Sequence, residues 1–172
     1  MVRLADGTSY SIQSPEVNTV TGAMAIQEFV DNTAWAFQSG SSVAYGPHLR
    51  KASLRGVAAK SLLIQFAKGD MTNANPVTTA IIRAGDLADR ATYYRNDLAY
   101  AEDADVPKNP HGFMVTGIQN PDALVREISL GAQDQIATFF ASGGTAVIHP
   151  EPARFFETPI QGPLPEDFSF IL

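Results

Sequence analysis

Ser61-Leu62-Leu63-Ile64-Gln65-Phe66-Ala67-Lys68-Gly69-Asp70 is the stretch that decides the fold of this chain. Its apolar run is short and mostly lacks the polar alternation of a half-exposed strand, so it predicts a strand covered on both faces in a parallel sheet. Lys68 and Gly69 end the run, and Asp70 is therefore predicted to lie just beyond the strand. In parallel sheets, ligands bind and catalysis occurs beyond the carboxyl ends of the strands. Asp70 is thus a candidate functional residue.

The sequence after Asp70 alternates helix and strand signals. Asn75-Pro76 predicts a helix start, because Asn accepts hydrogen bonds at an N-cap and Pro is tolerated at the first helical position. Gly85 predicts the end of that helix. Residues 91–96 predict the next strand, and Asn120-Pro121 opens a second helix with a buried face that continues to Phe139. This order predicts an α/β fold with a partial parallel sheet and flanking helices.

The remaining segments predict the organisation of the chain as a single domain, 1–172. The tail is expected to contain a short C-terminal β-hairpin formed by Ala146 to His149 and Arg154 to Ile160. Apolar side chains recur at helical spacing between Ala23 and Phe37, which predicts an amphipathic helix. The predicted parts are a loose N-terminal arm at 1–20, a cap-like helix and loop at 21–56, the α/β region at 57–142 and an extended tail at 143–172.

Composition excludes several classes of function. The net charge of −6 and the absence of a Lys/Arg cluster argue against nucleic acid as a partner. The chain has no cysteine, so it has neither a disulfide framework nor a thiolate metal site. No apolar run of about 18 residues predicts a membrane span, and residues 1–15 do not resemble a signal peptide. We therefore expect a soluble protein, whose compartment the sequence leaves open.

Asp70 and His111 are the predicted catalytic pair. His111 follows Asp70 by 41 residues and lies in a loop of about fifteen residues after the second strand, longer than such connections usually are. A strand-end acid and a loop histidine are the orienter and the general base of a hydrolytic triad. Each residue alone also has a structural interpretation: a loop histidine is often solvated, and a strand-end Asp often caps a turn, here through Thr72 or Asn73.

The other histidines are weaker candidates. His48 follows Gly46-Pro47 and is expected to cap or hydrate a turn, and His149 is expected to be surface structure in the predicted hairpin. Zinc sites usually pair two ligands at close spacing on one element, and the three histidines do not. We therefore predict neither a metal nor a cofactor.

The nucleophile of a serine triad is missing from its usual context, since no Gly-x-Ser-x-Gly pentapeptide occurs in the chain. Ser39, Ser41 and Ser42 lie in a turn that contains Gly40, and they are the possible nucleophiles. A solvated structural turn is the alternative interpretation of the same residues. Water activated by His111 is another possible nucleophile.

Five ordered segments resemble the C-terminal half of the α/β-hydrolase family, especially its bacterial lipase-like and esterase-like members. The resemblance covers about residues 21–142 and implies that Asp70 is the acid and His111 the base, because the triad of that family runs nucleophile, acid, histidine. The nucleophile elbow of the family precedes its acid, whereas here residues 23–37 resemble a lid or cap helix. The segments are Leu63 to Asp70, Asn75-Pro76, Arg83-Ala84-Gly85, Tyr94 to Asp97 and Pro107 to His111.

Two functions follow as expectations. The first is a carboxylic ester hydrolase, or a truncated descendant of one, that acts on a small-molecule ester. The second is a non-catalytic, self-assembling fragment that needs a separate N-terminal half for activity. In either case Leu62 to Phe66 is predicted to leave a sheet edge exposed, so we expect a homo-oligomer, most simply a dimer.

Overall fold

The computed structural model describes residues 2–3, 9–10 and 21–171. The chain divides into two compact units, 1–40 and 41–172, so the boundary falls inside the predicted cap-like region at 21–56. Most of the predicted N-terminal arm lies outside the described residues. The helices and strands are β1 (Val2–Arg3), β2 (Ser9–Tyr10), α1 (Ala23–Gln38), α2 (Ser42–Leu49), β3 (Ile64–Ala67), α3 (Asn75–Gly85), β4 (Ala91–Tyr94), α4 (Asn96–Glu102), α5 (Phe113–Thr116), α6 (Ala123–Ala141) and β5 (Phe156–Glu157).

The first unit contains the helix that the apolar spacing predicted. β1 and β2 pair antiparallel, and α1 matches the prediction to within one residue. The large apolar side chains of α1 are exposed, and none of its residues is buried. The amphipathic pattern thus predicts the helix correctly, although its apolar stripe is not covered.

The second unit contains a three-stranded sheet in the order β3-β4-β5. β3 and β4 are parallel, with Ile64 opposite Ala91, whereas β5 runs antiparallel to β4. The chain is therefore a mixed helix-and-strand protein of the general α/β class. The predicted hairpin is wrong: residues 146–149 form no strand, and Phe156 pairs with Tyr94 instead. The edge of β4 gives Phe156 a place beside Tyr94 in the core, which a surface hairpin would not.

Helices cover both faces of the sheet. Phe66 packs on one face in a cluster with Ile82 of α3, while Ala67 packs on the other in a cluster with Ile128 of α6. Successive strand residues point to opposite faces, so the apolar run in β3 is explained by burial on both sides. Because β3 and β4 are parallel, the chain leaves both strands at the same edge of the sheet.

The helix starts differ in detail from their predictions. α3 begins at Asn75, but Ala74 occupies the N-cap, and the buried Asn75 amide instead donates to Tyr93 Oη at 3.4 Å. In α6 the cap is Asp122, whose carboxylate accepts from the Val125 N–H at 2.8 Å. Both Asn-Pro signals therefore mark a helix start to within three residues, and the tertiary contacts choose the cap.

Two helices were missed. Gly46-Pro47 was predicted to form a turn in the loop of the 21–56 region, but α2 includes both residues. Gly46 lies against Ala84 and Gly85 of α3, where a Cβ would crowd the α3 backbone, so this glycine permits close helix packing. The strand predicted for 91–96 ends at Tyr94, and α4 begins two residues later.

Candidate functional site

Asp70 uses its two carboxylate oxygens for different partners. Gly69 precedes it with φ +82°, where a Cβ would be strained and would press on the Ser169 carbonyl, and this turn directs the chain away from β3. Oδ1 accepts from the N–H groups of Thr72 at 2.7 Å and Asn73 at 2.9 Å. Oδ2 lies 3.2 Å from Nδ1 of His111. The turn-capping and the orienting interpretations of Asp70 are thus both compatible with its geometry.

The Asp70 contact assigns the two nitrogens of His111. In a neutral imidazole whose Nδ1–H donates to this carboxylate, the lone pair is on Nε2. The Asp70 side chain is 13% exposed and that of His111 is 45% exposed. The imidazole is thus anchored on one side and accessible on the other, which is the arrangement of a general base.

Asn109 joins the loops that bear the pair. Its Oδ1 accepts from the Met71 N–H at 3.1 Å and from the His111 N–H at 3.2 Å. Met71 follows Asp70 directly, so one amide oxygen holds both loops at a fixed separation. Sequence reasoning gave Asn109 no role, because no local signal reveals a contact that spans 38 residues.

A network of charges ties the strands together beside this pair. Arg95 donates two hydrogen bonds to Asp97, at 2.9 and 2.8 Å, and one to Glu157 at 2.9 Å. Lys68 Nζ lies 3.3 Å from Asp97 Oδ2. Burial raises the pKa of Asp97, but the hydrogen bonds and charges of Arg95 and Lys68 outweigh it and hold the pKa below its usual range. The network links the ends of β3, β4 and β5.

A cavity of about 230 Å³ lies on one side of His111. Two of its polar residues are already paired with each other and with the backbone: Tyr94 Oη donates to Asn96 Oδ1 at 2.9 Å, and the Asn96 amide donates to the Pro107 carbonyl at 3.0 Å. Burial raises the pKa of the Tyr94 hydroxyl, so it stays neutral and keeps donating. The rest of the wall is mainly apolar, and it includes Val106, Phe113, Val125 and Ile128.

A second depression, of about 320 Å³, lies on the other side. Its lining includes Asp70, His111 and Thr78 together with Gln65, Phe66 and Ala67 of β3. His111 therefore stands between two spaces, and either can bring a molecule to its imidazole.

The serines proposed as nucleophiles are not among the residues that line these two spaces. Ser39 belongs to the first unit. Ser41 and Ser42 begin α2, which packs on α3. The serine that does line the first cavity is Ser129, whose buried Oγ lies within hydrogen-bond distance of the Phe113 and Val125 carbonyls. Within the described residues, Ser129 therefore has a structural role.

The remaining titratable groups lie apart from the pair. His48 Nδ1 lies 2.7 Å from the Ala52 carbonyl, and His149 Nδ1 lies 3.1 Å from the Pro150 carbonyl. Carboxylate oxygens of Asp103, Asp105 and Asp122 approach one another within 4.8 Å. Asp103 accepts from the Asp105 N–H, and Asp122 caps α6. Two of these carboxylates therefore already accept hydrogen bonds from backbone N–H groups.

Comparison with protein-family models, with curated proteins and with solved structures found no match to this chain. Among the described helices, none combines the length and the apolar character that a membrane crossing requires.

Proposed function

We propose that the chain is a carboxylic ester hydrolase of the α/β-hydrolase type, with His111 as the general base and Asp70 as its orienter. The observation that carries the proposal is the 3.2 Å contact between His111 Nδ1 and Asp70 Oδ2. The backbone occupies the other Asp70 oxygen, so the contact has a defined direction and leaves Nε2 to act on a substrate.

The chemistry needs a nucleophile with a hydroxyl proton, either water or a serine. As its oxygen attacks the ester carbonyl, the proton passes to His111 Nε2, and Asp70 stabilises the imidazolium that forms. The tetrahedral intermediate then expels the alcohol, which takes the proton from Nε2. With water as the nucleophile, ester and water give one acid and one alcohol. With a serine, the acyl group remains on the serine oxygen, and a water deprotonated by His111 then releases the acid and regenerates the serine.

The cavity of about 230 Å³ supports an ester with a small apolar group. An apolar cavity of about 150 Å³ holds a benzene molecule, so this one has room for a phenyl or short aliphatic group. Tyr94 and Asn96 are already paired within the protein, and most of the remaining wall is apolar, so the substrate group is held there mainly by apolar contact.

Hydrolysis of p-nitrophenyl butyrate tests the proposal. His111→Ala and Asp70→Asn should each lower kcat/KM by about 100-fold, within the range for a positioned general base. Any accessible imidazole hydrolyses activated esters slowly, so variants of the other two histidines serve as matched controls. His149→Ala and His48→Ala should both keep the wild-type rate. Equal rates for wild type and His111→Ala would remove His111 from the mechanism.

Labelling with a fluorophosphonate distinguishes the two nucleophiles. Covalent labelling that is lost in His111→Ala would identify an activated serine in this chain, and mass spectrometry would locate it among Ser39, Ser41, Ser42 and the other serines. Turnover without labelling would indicate water as the nucleophile.

A further inference from the structure

Two asparagines line the cavity of about 230 Å³, and each has a side-chain nitrogen without a hydrogen-bond partner in the described part of the chain. The other uncharged polar side chains of the wall are paired: Tyr94 bonds to Asn96, and the Ser129 hydroxyl lies within hydrogen-bond distance of two backbone carbonyls. Asn109 is exposed, so water solvates its amide nitrogen, whereas Asn120 is half-buried. The Asn120 nitrogen is therefore the donor that a molecule in the cavity would meet.

Asn120 is held in place by hydrogen bonds to its other three polar atoms. Its Oδ1 accepts from the Asp122 N–H at 2.9 Å, its N–H donates to the Gly117 carbonyl at 3.0 Å, and its carbonyl accepts from Arg126 at 3.4 Å. None of these bonds uses Nδ2. Because Oδ1 is turned to the backbone at the start of α6, Nδ2 is the end of the amide that is left for the cavity, and its direction is fixed.

The chemistry of this donor defines what the cavity accepts. An amide nitrogen of Asn only donates. A molecule that fills the cavity displaces water from Nδ2, and a donor that loses its water without gaining an acceptor costs free energy. Ligand sites are typically apolar with a few placed polar groups that fix the orientation of the ligand. A molecule with an oxygen acceptor opposite Nδ2 therefore binds better than an apolar molecule of the same shape.

The charges around Asn120 favour a neutral acceptor over a carboxylate. Asp122 follows Asn120 by two residues, and its carboxylate lies within 4.8 Å of those of Asp103 and Asp105. Arg126 donates to the Asn120 carbonyl and offsets one of these three negative charges. The remaining negative charge repels an anion. The acceptor is therefore the oxygen of a ketone, an ether or a further ester group.

We propose that Asn120 is a specificity-determining residue, whose Nδ2 donates to a neutral oxygen on the acyl group of the substrate. The inference rests on the proposed ester hydrolysis and narrows its substrates to esters of short acids that carry such an oxygen. The acyl group occupies the cavity, and the alcohol, which must depart during turnover, occupies the larger depression of about 320 Å³ on the other side of the imidazole.

Two esters of matched shape test the inference, p-nitrophenyl levulinate and p-nitrophenyl isocaproate. They share the leaving group, and the ketone oxygen of the first stands where the second has a methyl group. The ratio of their kcat/KM values, levulinate over isocaproate, should fall about tenfold in Asn120→Leu, which removes the donor. Asn120→Asp keeps an acceptor for the Asp122 N–H but has no donor, and it should lower the ratio at least as much.

Asn73→Leu is the matched control, because Asn73 lines the larger depression instead of the cavity. It should keep the wild-type ratio. Circular dichroism identifies the variants that fold, and Asn120→Asp carries the test if Asn120→Leu does not fold. A wild-type ratio in a folded Asn120 variant would overturn the inference, and so would an equal fall of the ratio in Asn73→Leu.

A binding measurement separates failure of this inference from failure of the proposed function. If wild type turns over neither ester faster than His111→Ala does, the hydrolase proposal is wrong, and methyl levulinate and methyl isocaproate then serve as binding probes. Their dissociation constants are measured by following the side-chain amide signals of the full chain in NMR titrations. A relative preference for methyl levulinate that falls about tenfold in Asn120→Asp would support recognition by Asn120, and an unchanged preference would refute it.

Discussion

Asn109 accepts two backbone hydrogen bonds, and each reaches a loop that bears one member of the candidate pair. Its side chain does not contact the imidazole through either bond, so we describe it as a positioning residue. Since a displacement of about 1 Å can cost about 100-fold in rate, the separation of the two loops matters as much as the identity of the pair.

Replacing Asn109 should therefore affect turnover more than substrate binding. Asn109→Ala should lower kcat for ester hydrolysis by about tenfold with little change in KM, because the pair is loosened while the apolar cavity remains. Asn109→Asp keeps an acceptor at the same position and should restore most of kcat. If Asn109→Ala changed only KM, the residue would act on binding instead of on the geometry of the pair.

The positions of Asp70 and His111 follow local patterns, a strand end and a loop flanked by proline, while their catalytic roles stay a prediction. That they meet follows from two adjacent parallel strands, whose following loops share one edge of the sheet. Asn109 was not predictable in the same way. Its two acceptor contacts depend on the loop path, and nothing in Lys108-Asn109-Pro110 specifies that path.

At the scale of elements, the charge network joins the carboxyl ends of β3 and β4 to the antiparallel strand β5. Arg95 and Asp97 lie beyond β4, Lys68 lies beyond β3, and Glu157 belongs to β5. β3 and β4 are only four residues long, so few ladder hydrogen bonds hold them together. The ion pairs therefore supplement the ladder where the loops with Asp70 and His111 depart.

The lowered pKa of Asp97 gives this network a pH dependence. A carboxyl group whose pKa is lower in the folded than in the unfolded state stabilises the fold above the unfolded value of about 3.9, and this stabilisation is lost as the pH falls through the folded value. Asp97→Asn should therefore be less stable than wild type at a pH of about 7, and the difference should shrink towards a pH of about 2.

Urea denaturation across this pH range measures the effect. Asp134→Asn on the exposed side of α6 is the control, and its stability should follow that of wild type at every pH. A difference between wild type and Asp97→Asn that stayed constant down to acid pH would mean that packing, and not charge, is what the substitution removes.

Elements with strong local sequence patterns were predictable, whereas elements that depend on contacts distant in sequence were not. α3 and α6 begin near Asn-Pro, and the apolar run of β3 is buried on both faces. These three elements therefore form where their local patterns predict them. α2 was missed because Gly46-Pro47 is typical of a turn. In the structure, the missing Cβ of Gly46 allows α2 to pack close to α3. β5 pairs with β4 because that edge was available, which no local pattern in the tail indicates.

At the scale of the whole molecule, Gln135 connects parts of the chain that are distant in sequence. Its side chain is fully buried, and its amide nitrogen donates to Thr92 Oγ1 of β4 at 2.8 Å and to the Ile148 carbonyl. Its Oε1 accepts from the Gln65 amide of β3 at 2.6 Å. A polar residue within a helix is usually expected at the surface, so no local pattern indicates this core position.

Removing the Gln135 amide should therefore lower the stability of the second unit as a whole. Gln135→Ala leaves the Ile148 carbonyl without its partner, and a buried unpaired group costs about 1–3 kcal/mol. Thr92 and Gln65 each lose one further hydrogen bond, although Thr92 still accepts from Thr158 and Gln65 still donates to the Ala132 carbonyl. We expect a loss of about 3 kcal/mol in the free energy of unfolding, measured by urea denaturation with unchanged m. Asp134→Ala, the exposed neighbour on α6, should cost under about 0.5 kcal/mol. Equal stability of the two variants would mean that water replaces the amide and that the core does not depend on it.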